Sequence, residues 1–253
     1  MSFKLKSLSG TIKTSLLMMS LALPMAAQAK DISVKITNLT NGFYFTPLIV
    51  TAHNDDVNFY DLGEPASDAL QAMAEGGNIS GLVAEAEEEN ADVATNPAGG
   101  LLAPGKSATA VLKKLNHHNK YLSVAAMLLP TNDGFFAADG IKIPKRAGTY
   151  TYYLNAYDAG TEANDEIING GGAPNSPGIP VAPGGDGGIG ASGVTTEEAN
   201  KTVHVHRGTL GDDIAEGGRS DLDSSIHTWL NPVVKMEITV SCNKRHYYGK
   251  GCR

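Results

Sequence analysis

The chain has 253 residues, with 27 acidic against 20 basic side chains and a formal net charge of −7. An acidic protein is a poor partner for nucleic acids and for anionic lipid surfaces, which bind basic proteins. Carboxylates in excess are suited instead to divalent cations. The composition therefore argues against binding to nucleic acids or anionic lipids and favours a protein that binds divalent cations.

The first 29 residues have the pattern of a secretory signal peptide. Lys4, Lys6 and Lys13 precede an apolar run from Ser15 to Met25, and Ala27-Gln28-Ala29 has the small-x-small form of a cleavage site. The alternative is a membrane anchor, but a span needs about 20 apolar residues and this run is shorter. We predict cleavage before Lys30, export to a bacterial periplasm or exterior, and no membrane span afterwards.

The rest of the chain alternates between strand patterns and turns, which predicts one domain over residues 30–241. About seven strand signals favour a mainly all-β, antiparallel β-sandwich; they cover Lys30–Thr40, Phe43–His53, Ser107–Leu115, Tyr121–Leu129, Thr149–Asn155, Lys201–Arg207 and Val233–Ser241. Two short helices, one opening near Pro65 and one from Ser80, are expected to cap one end of the sandwich.

Two further segments differ from the sandwich in composition. Residues 169–193 contain ten Gly and four Pro, which predicts a long flexible loop that buries no core. Cys242 and Cys252 are the two cysteines, and in an oxidising compartment we expect a disulfide that closes the tail 242–253. A Cys/His metal site there has too few ligands nearby.

Acidic residues and turn residues follow two strand patterns. Pro130-Thr131-Asn132-Asp133-Gly134 comes after one strand, and Asp158-Ala159-Gly160-Thr161-Glu162 comes after another. If the strands are neighbours, Asp133, Asp158 and Glu162 can surround one Ca²⁺, with Asn132, backbone carbonyls and water completing about 6–8 oxygen ligands. The alternative is ordinary turn chemistry, in which these side chains bind local N–H groups.

The Asp158-Ala159-Gly160-Thr161-Glu162 stretch resembles the D-A-G-T-[DE] motif of the spondin N-terminal domain family. Other segments are similar to that family too: Ile36–Thr40, Phe45–Leu48, His53-Asn54, Glu64–Ser67, Pro130–Phe135, Val203–Gly208 and Trp229–Val233. The resemblance implies a C2-like β-sandwich with a Ca²⁺ site, found in animal extracellular adhesion and matrix proteins. It implies the ligands Asp133, Asp158 and Glu162. Asn132-Asp133-Gly134 replaces the family's Pro-Asp-Trp, and Glu162 stands where Asp is usual.

This resemblance leads to a functional expectation and leaves alternatives. We expect an exported, calcium-binding, non-catalytic domain that binds an unknown protein or polysaccharide surface ligand. His204-Val205-His206 places two imidazoles on one strand face, which can chelate Zn²⁺ or Cu²⁺; a copper- or zinc-dependent metalloenzyme is therefore the first alternative. The structural explanation of the same pattern is that both histidines are either solvated at the surface or hydrogen-bonded within the fold. A carbohydrate-binding module is the other alternative, in which Trp229 stacks on a sugar rather than packing in the core.

Overall fold

The computed structural model describes residues 30–242, apart from residue 186. The predicted signal peptide at residues 1–29 and the predicted Cys242–Cys252 disulfide lie outside the residues whose side chains are described. Within the described part, no helix is long and apolar enough to cross a membrane.

The described residues form eleven strands and two helices. In chain order they are β1 (Lys30–Asn38), β2 (Tyr44–Phe45), β3 (Ile49–His53), α1 (Asp68–Gly76), α2 (Ser80–Glu88), β4 (Asp92–Thr95), β5 (Ser107–Leu112), β6 (Tyr121–Leu129), β7 (Gly134–Lys142), β8 (Gly148–Leu154), β9 (Ala156–Asp158), β10 (His204–Val205) and β11 (Val234–Cys242).

The first sheet has the antiparallel order β5-β1-β11-β8. Its strands alternate between core and solvent: Ile32, Val34 and Ile36 of β1 are buried, as the period-2 pattern predicts. Lys30 pairs with Cys242 at one end of this sheet, and Asn38 pairs with Val234 at the other. The two ends of the described chain therefore lie side by side.

The second sheet has the antiparallel order β10-β9-β7-β6-β3-β4, with β2 pairing to β6. Its inner face packs on the first sheet and its outer face is covered by α1 and α2, where Leu70, Met73 and Leu82 join the buried cluster. Because both faces are covered, Leu122–Leu129 of β6 are buried without alternation. The all-β sandwich is confirmed, but the helices lie on a face rather than at an end.

Two predictions about the chain differ from the structure. The strand β7 was missing from the sequence interpretation, because Gly134 was assigned to a turn and Ala137-Ala138 give a weak strand signal. The Gly/Pro-rich segment 169–193 was expected to bury no core, yet Ile179 is fully buried in a small cluster with Ile168, Ala182 and Leu222. A few apolar residues in a glycine-rich segment are enough to seat it on its neighbours.

Candidate metal site at the acidic end

Asp133 and Asp158 are brought together by the pairing of β7 with β9. Gly134, the first residue of β7, pairs with Asp158, the last residue of β9. The backbone continues this contact, since the N–H of Ala159 donates to the carbonyl of Asp133 at 3.3 Å. The two aspartates are therefore neighbours where β7 begins and β9 ends, at one end of the strands of the second sheet. The strand that achieves this is β7, which separates β6 from β9.

Asp133 is fully buried and only one of its carboxylate oxygens has hydrogen-bond partners. Its Oδ2 accepts from the N–H of Thr161 at 2.8 Å, from the N–H of Glu162 at 3.1 Å and from the Thr161 hydroxyl at 3.2 Å. Its Oδ1 is buried without a partner. Burial, and then the charge of Asp158, raise the pKa of Asp133 to about 7, against the hydrogen bonds that lower it. This carboxylate is held in place with one oxygen left over.

Asp158 is also buried, and its carboxylate lies between an asparagine and two histidines. Its Oδ1 accepts from the N–H of Gly160 at 2.9 Å, and its Oδ2 accepts from Asn164 Nδ2 at 2.7 Å. The same Oδ2 lies 3.8 Å from His204 Nε2 and 3.9 Å from His206 Nε2. The hydrogen bond from the N–H of Gly160 to Asp158 Oδ1 forms an Asx turn, so part of the Asp-Ala-Gly-Thr-Glu motif stabilises its own bend.

Glu162 contacts Asp133 through its backbone, while its carboxylate is bound by the Gly/Pro-rich segment. Its Oε2 accepts from the N–H of Gly178 at 3.1 Å, and its Oε1 is buried without a partner. Burial raises the pKa of Glu162 to about 8; Gly178 lowers it, and the charges of Glu75 and Asp133 raise it further. Glu162 Oε1 is therefore a second buried carboxylate oxygen without a hydrogen-bond partner.

Asn132 is the fourth predicted oxygen ligand, and both ends of its amide are already engaged. Its Nδ2 donates to Asp165 Oδ1 at 2.8 Å, and its Oδ1 accepts from the N–H of Glu166 at 3.2 Å. Asn132 therefore connects the 130–134 turn to the 162–166 segment.

Among the residues that the structure describes, no group of three or more His, Cys, Asp or Glu side chains has the arrangement of a metal site.

The two histidines of the 204–206 strand both present Nε2 to Asp158, but in different tautomers. His204 Nδ1 bonds the carbonyl of Thr202 at 2.8 Å. A carbonyl only accepts, so the proton is on Nδ1 and Nε2 carries a lone pair in the neutral ring. His206 Nδ1 accepts from the N–H of Gly208 at 3.0 Å, so its proton is on Nε2. Only His204 offers a free lone pair toward Asp158.

His206 is also part of the packing around Trp229. Its ring is buried, and its centroid lies 4.9 Å from that of Trp229, which in turn packs edge-on against Phe43 at 4.6 Å. Burial lowers the pKa of His206 to about 4 despite the neighbouring Asp158, so the ring is neutral at pH 7. Trp229 packs against the core cluster, as the core-packing interpretation predicts.

A family model described as Spondin_N matches residues 35–176, more than half of the chain, and the match includes Asp133, Asp158 and Glu162. The chain belongs to the Spondin_N family. The predicted resemblance is thereby confirmed. The matched range ends before His204, so it does not bear on the histidine strand. A comparison with curated proteins finds no match for this Spondin_N chain.

The sequence analysis did not identify several residues that build the acidic end of this Spondin_N domain, the region around Asp133, Asp158 and Glu162. Asn164 binds Asp158, Glu75 of α1 accepts from the N–H of Asn175 at 2.9 Å, and Glu166 accepts from two backbone N–H groups. Glu75 and Glu166 are both buried. The one available signal was their position: Glu75 follows the apolar stripe of α1, and Glu166 lies four residues after Glu162. Neither position identifies a partner more than 40 residues away.

A buried serine, histidine and aspartate also meet in this domain. Ser123 Oγ lies 2.7 Å from His53 Nε2 and donates to Asp139 Oδ1 at 2.8 Å, and it accepts from the N–H of Gly140 at 2.9 Å. Ser123 is fully buried, and His53 is 1% exposed. The set therefore connects β3, β6 and β7 inside the sheet and offers no hydroxyl to a substrate.

Gly160, within the Asp-Ala-Gly-Thr-Glu motif, allows a close backbone contact. Its φ is +69°, and a Cβ built there would lie 2.7 Å from backbone atoms of Asn200 and Thr202. We expect Gly160→Ala to lower the free energy of unfolding by about 2–3 kcal/mol, because it combines left-handed strain with a backbone clash. Urea denaturation measures the loss. The matched control is Gly63→Ala, which has a similar positive φ and no atom within 4 Å; equal losses in the two variants would contradict the clash.

Proposed function

We propose that this protein is an exported, non-catalytic Spondin_N domain that binds Ca²⁺ at Asp133, Asp158 and Glu162 and recognises a surface ligand with the loops that the ion orders. The observation that carries the proposal is Asp133 Oδ1, a buried carboxylate oxygen without a partner. A buried charge without compensation is costly, and a bound cation removes that cost.

The carboxylate oxygens of Asp133, Asp158 and Glu162 are ligands that favour a hard cation. Asp133 Oδ1 and Glu162 Oε1 are both carboxylate oxygens without partners, and Asp158 lies beside Asp133. Ca²⁺ accepts irregular sets of oxygen ligands and tolerates water in its shell, whereas Mg²⁺ requires a near-octahedral arrangement. The carboxylate of Glu162 would have to turn from Gly178 to join the other two, so the ion would complete the site by moving that side chain.

The histidine arrangement speaks against the zinc or copper alternative. A metal on Nε2 needs Nδ1 to carry the proton and to donate it. His204 meets this condition through Thr202, whereas His206 Nδ1 accepts from Gly208. A two-histidine chelate would therefore require a change of tautomer and the loss of a backbone hydrogen bond.

An ion at this position would join two separate parts of the chain. Asp133 belongs to the 130–134 turn, whereas Asp158 and Glu162 belong to the bend after β9. Without the ion, Gly178 links that bend to the Gly/Pro-rich segment. A cleft of about 570 Å³ lies beside Glu162, and it is lined by Asp165, Glu197 and Glu198 among others. This cleft supports the expectation that the partner, a protein or a polysaccharide, is recognised at the acidic end.

The test is the response of the melting temperature to Ca²⁺. At an ion concentration 100 times Kd, the wild-type protein should gain about 2.7 kcal/mol, or roughly 5–10 °C. Asp133→Asn and Asp158→Asn should abolish this gain, whereas the exposed Asp213→Asn should retain it. Metal analysis of protein purified without chelators accompanies the titration.

Three results would overturn the proposal. They are an unchanged melting temperature in millimolar Ca²⁺, a full response in both aspartate variants, and stoichiometric zinc or copper that depends on His204. A positive Ca²⁺ response followed by pull-down on insoluble polysaccharides, with and without Ca²⁺, would then separate a carbohydrate ligand from a protein one.

A further inference from the structure

A second cavity lies at the opposite end of the sandwich from Asp133. Its volume is about 740 Å³, and it is enclosed by the start of β1, the loop after β5, the start of β6 and the end of β7. Backbone hydrogen bonds connect these segments. The N–H of Leu115 donates to the carbonyl of Lys30, and the N–H of Ile143 donates to the carbonyl of Lys120. The cavity therefore has a fixed frame rather than one made of mobile loops.

The cavity is lined by positive charge although the protein is acidic. Lys30, Lys120, Lys142 and Lys145 line it together with His117. The segments that contribute most of these residues, 113–120 and 140–148, contain no Asp or Glu. The lysine side chains that form ion pairs within the described residues are Lys35 and Lys235, which lie elsewhere. We call this site the lysine cavity.

Two of the charges of the lysine cavity, those of Lys30 and Lys145, lie close enough to repel each other, and no carboxylate lines the cavity. Lys30 Nζ donates to the carbonyl of Pro144 at 2.8 Å, and burial and the charge of Lys145 lower the pKa of Lys30. The nearby carboxylate of Asp92 accepts from the N–H of Asn116 and from Asn119 Nδ2. Asp92 does not line the cavity. Bringing like charges together is unfavourable, and a bound anion relieves that repulsion.

The floor of the lysine cavity is apolar. Leu115 and Ile143 are buried beneath the lysines, and the ring of Tyr121 is half-buried at the wall. Pockets of 300–1,000 Å³ with an apolar floor and a few charged groups suit small organic ligands. An aromatic wall suits a sugar or another ring, and lysine ammonium groups bind phosphate and sulfate oxygens as point charges.

We propose that the lysine cavity binds a ring-bearing anion that carries two or more phosphate or sulfate groups. Four lysines around one apolar floor match several separated anionic groups better than a single carboxylate. The site does not depend on the proposed Ca²⁺ function, because it lies at the other end of both sheets and uses none of the same residues.

The test is calorimetric titration in the presence of a chelator of divalent cations. The probes are fructose 1,6-bisphosphate and a trisulfated heparin disaccharide, with fructose and the unsulfated disaccharide as neutral controls. We expect an anionic probe to bind the wild-type protein and the neutral sugars not to bind. Binding of the bisphosphate alone assigns a phosphate ester, binding of the disaccharide alone assigns a sulfated glycan, and either result supports the proposal.

Substitutions then locate the binding. The double variant Lys120→Ala/Lys142→Ala should bind at least about tenfold more weakly, and wild-type affinity should fall as KCl rises. Lys106→Ala is the control, since Lys106 is exposed at the opposite end of the first sheet. The single variant Lys145→Ala provides a milder change if the double variant is unstable. Asp133→Asn should bind as the wild type does, which separates this site from the Ca²⁺ proposal.

The outcomes that overturn the proposal are equally specific. They are the absence of binding for both anionic probes, equal binding of neutral and anionic sugars, or unchanged affinity in the lysine-cavity variants. An equal loss in Lys106→Ala would show general charge attraction and would also overturn it.

Discussion

Without divalent cations, the stabilisation that Asp133 and Glu162 give the folded protein should fall as pH rises from about 4 to 8. His206, whose pKa burial lowers to about 4, contributes the opposite trend up to about pH 6.5, so the effect is measured as the difference from Asp133→Asn. The folded protein raises the pKa of Asp133 to about 7 and of Glu162 to about 8. In the unfolded chain such groups titrate near 4. Between these values the folded state keeps protons that the unfolded state releases. Folding is therefore favoured at low pH, and the advantage is lost as pH rises through the folded pKa values.

The effect should be large because Asp133 is fully buried. Its shift alone corresponds to about 2–4 kcal/mol between pH 4 and pH 8, or a drop in melting temperature of about 5–10 °C relative to Asp133→Asn. Melting curves in a chelator, recorded at half-unit pH intervals, measure it. Ca²⁺ should reverse the loss, and it should stabilise the protein more at pH 8 than at pH 5, because protons and the cation compete for the same oxygens.

Asp133→Asn is the matched control for this pH dependence. The amide keeps the shape of the carboxylate and cannot ionise, so the variant should melt with a weaker pH dependence than the wild type. In a chelator at pH 8 we expect it to be as stable as the wild type, or more stable, because it removes an uncompensated buried charge. Parallel pH curves for the two proteins would show that Asp133 does not cause the effect.

The second large effect is expected for Glu166→Ala. Glu166 is 2% exposed, and its carboxylate accepts from the N–H of Leu210 at 2.6 Å, the N–H of Gly211 at 2.8 Å and the Ser220 hydroxyl at 2.6 Å. Truncation leaves three donors without an acceptor in a region with little apolar packing. We expect a loss of about 3–4 kcal/mol in the free energy of unfolding, measured by urea denaturation.

Glu216→Ala provides the comparison for Glu166→Ala. Glu216 is exposed in the same part of the chain, and its truncation should change stability by no more than about 0.5 kcal/mol. Hydrogen exchange adds a local measurement, since the amides of Leu210 and Gly211 should lose protection in the Glu166 variant. A loss below about 1 kcal/mol with unchanged exchange would contradict the role assigned to Glu166.

The sandwich was predictable because its strands carry local signals. The alternation of Ile32, Val34 and Ile36 reports a strand with one buried face, and the long run of β6 reports a strand with little exposure. The position of the helices was not predictable from periodicity. A helix stripe shows that one side is buried, but it does not say whether the side packs on the face or on the end of a sheet.

The candidate site was predictable in its residue types and only partly in its geometry. Motif chemistry identified Asp133 and Asp158, and the structure places them together through β7, a strand that the sequence interpretation lacked. The direction of the Glu162 side chain depends on Gly178, and the tautomer of His206 depends on Gly208. Backbone donors of this kind leave no mark on composition or spacing, so their effects emerge only in three dimensions.

The pairing of Lys30 with Cys242 has a practical consequence for how the domain is displayed. Both ends of the described chain lie at the lysine-cavity edge, and a strand of nine residues spans about 30 Å. A tether, label or fused module joined at either end would thus hold the molecule at the lysine-cavity end and turn the bends that carry Asp133 and Asp158 outward. Immobilised this way on a sensor chip, the domain would keep those bends accessible to an arriving partner.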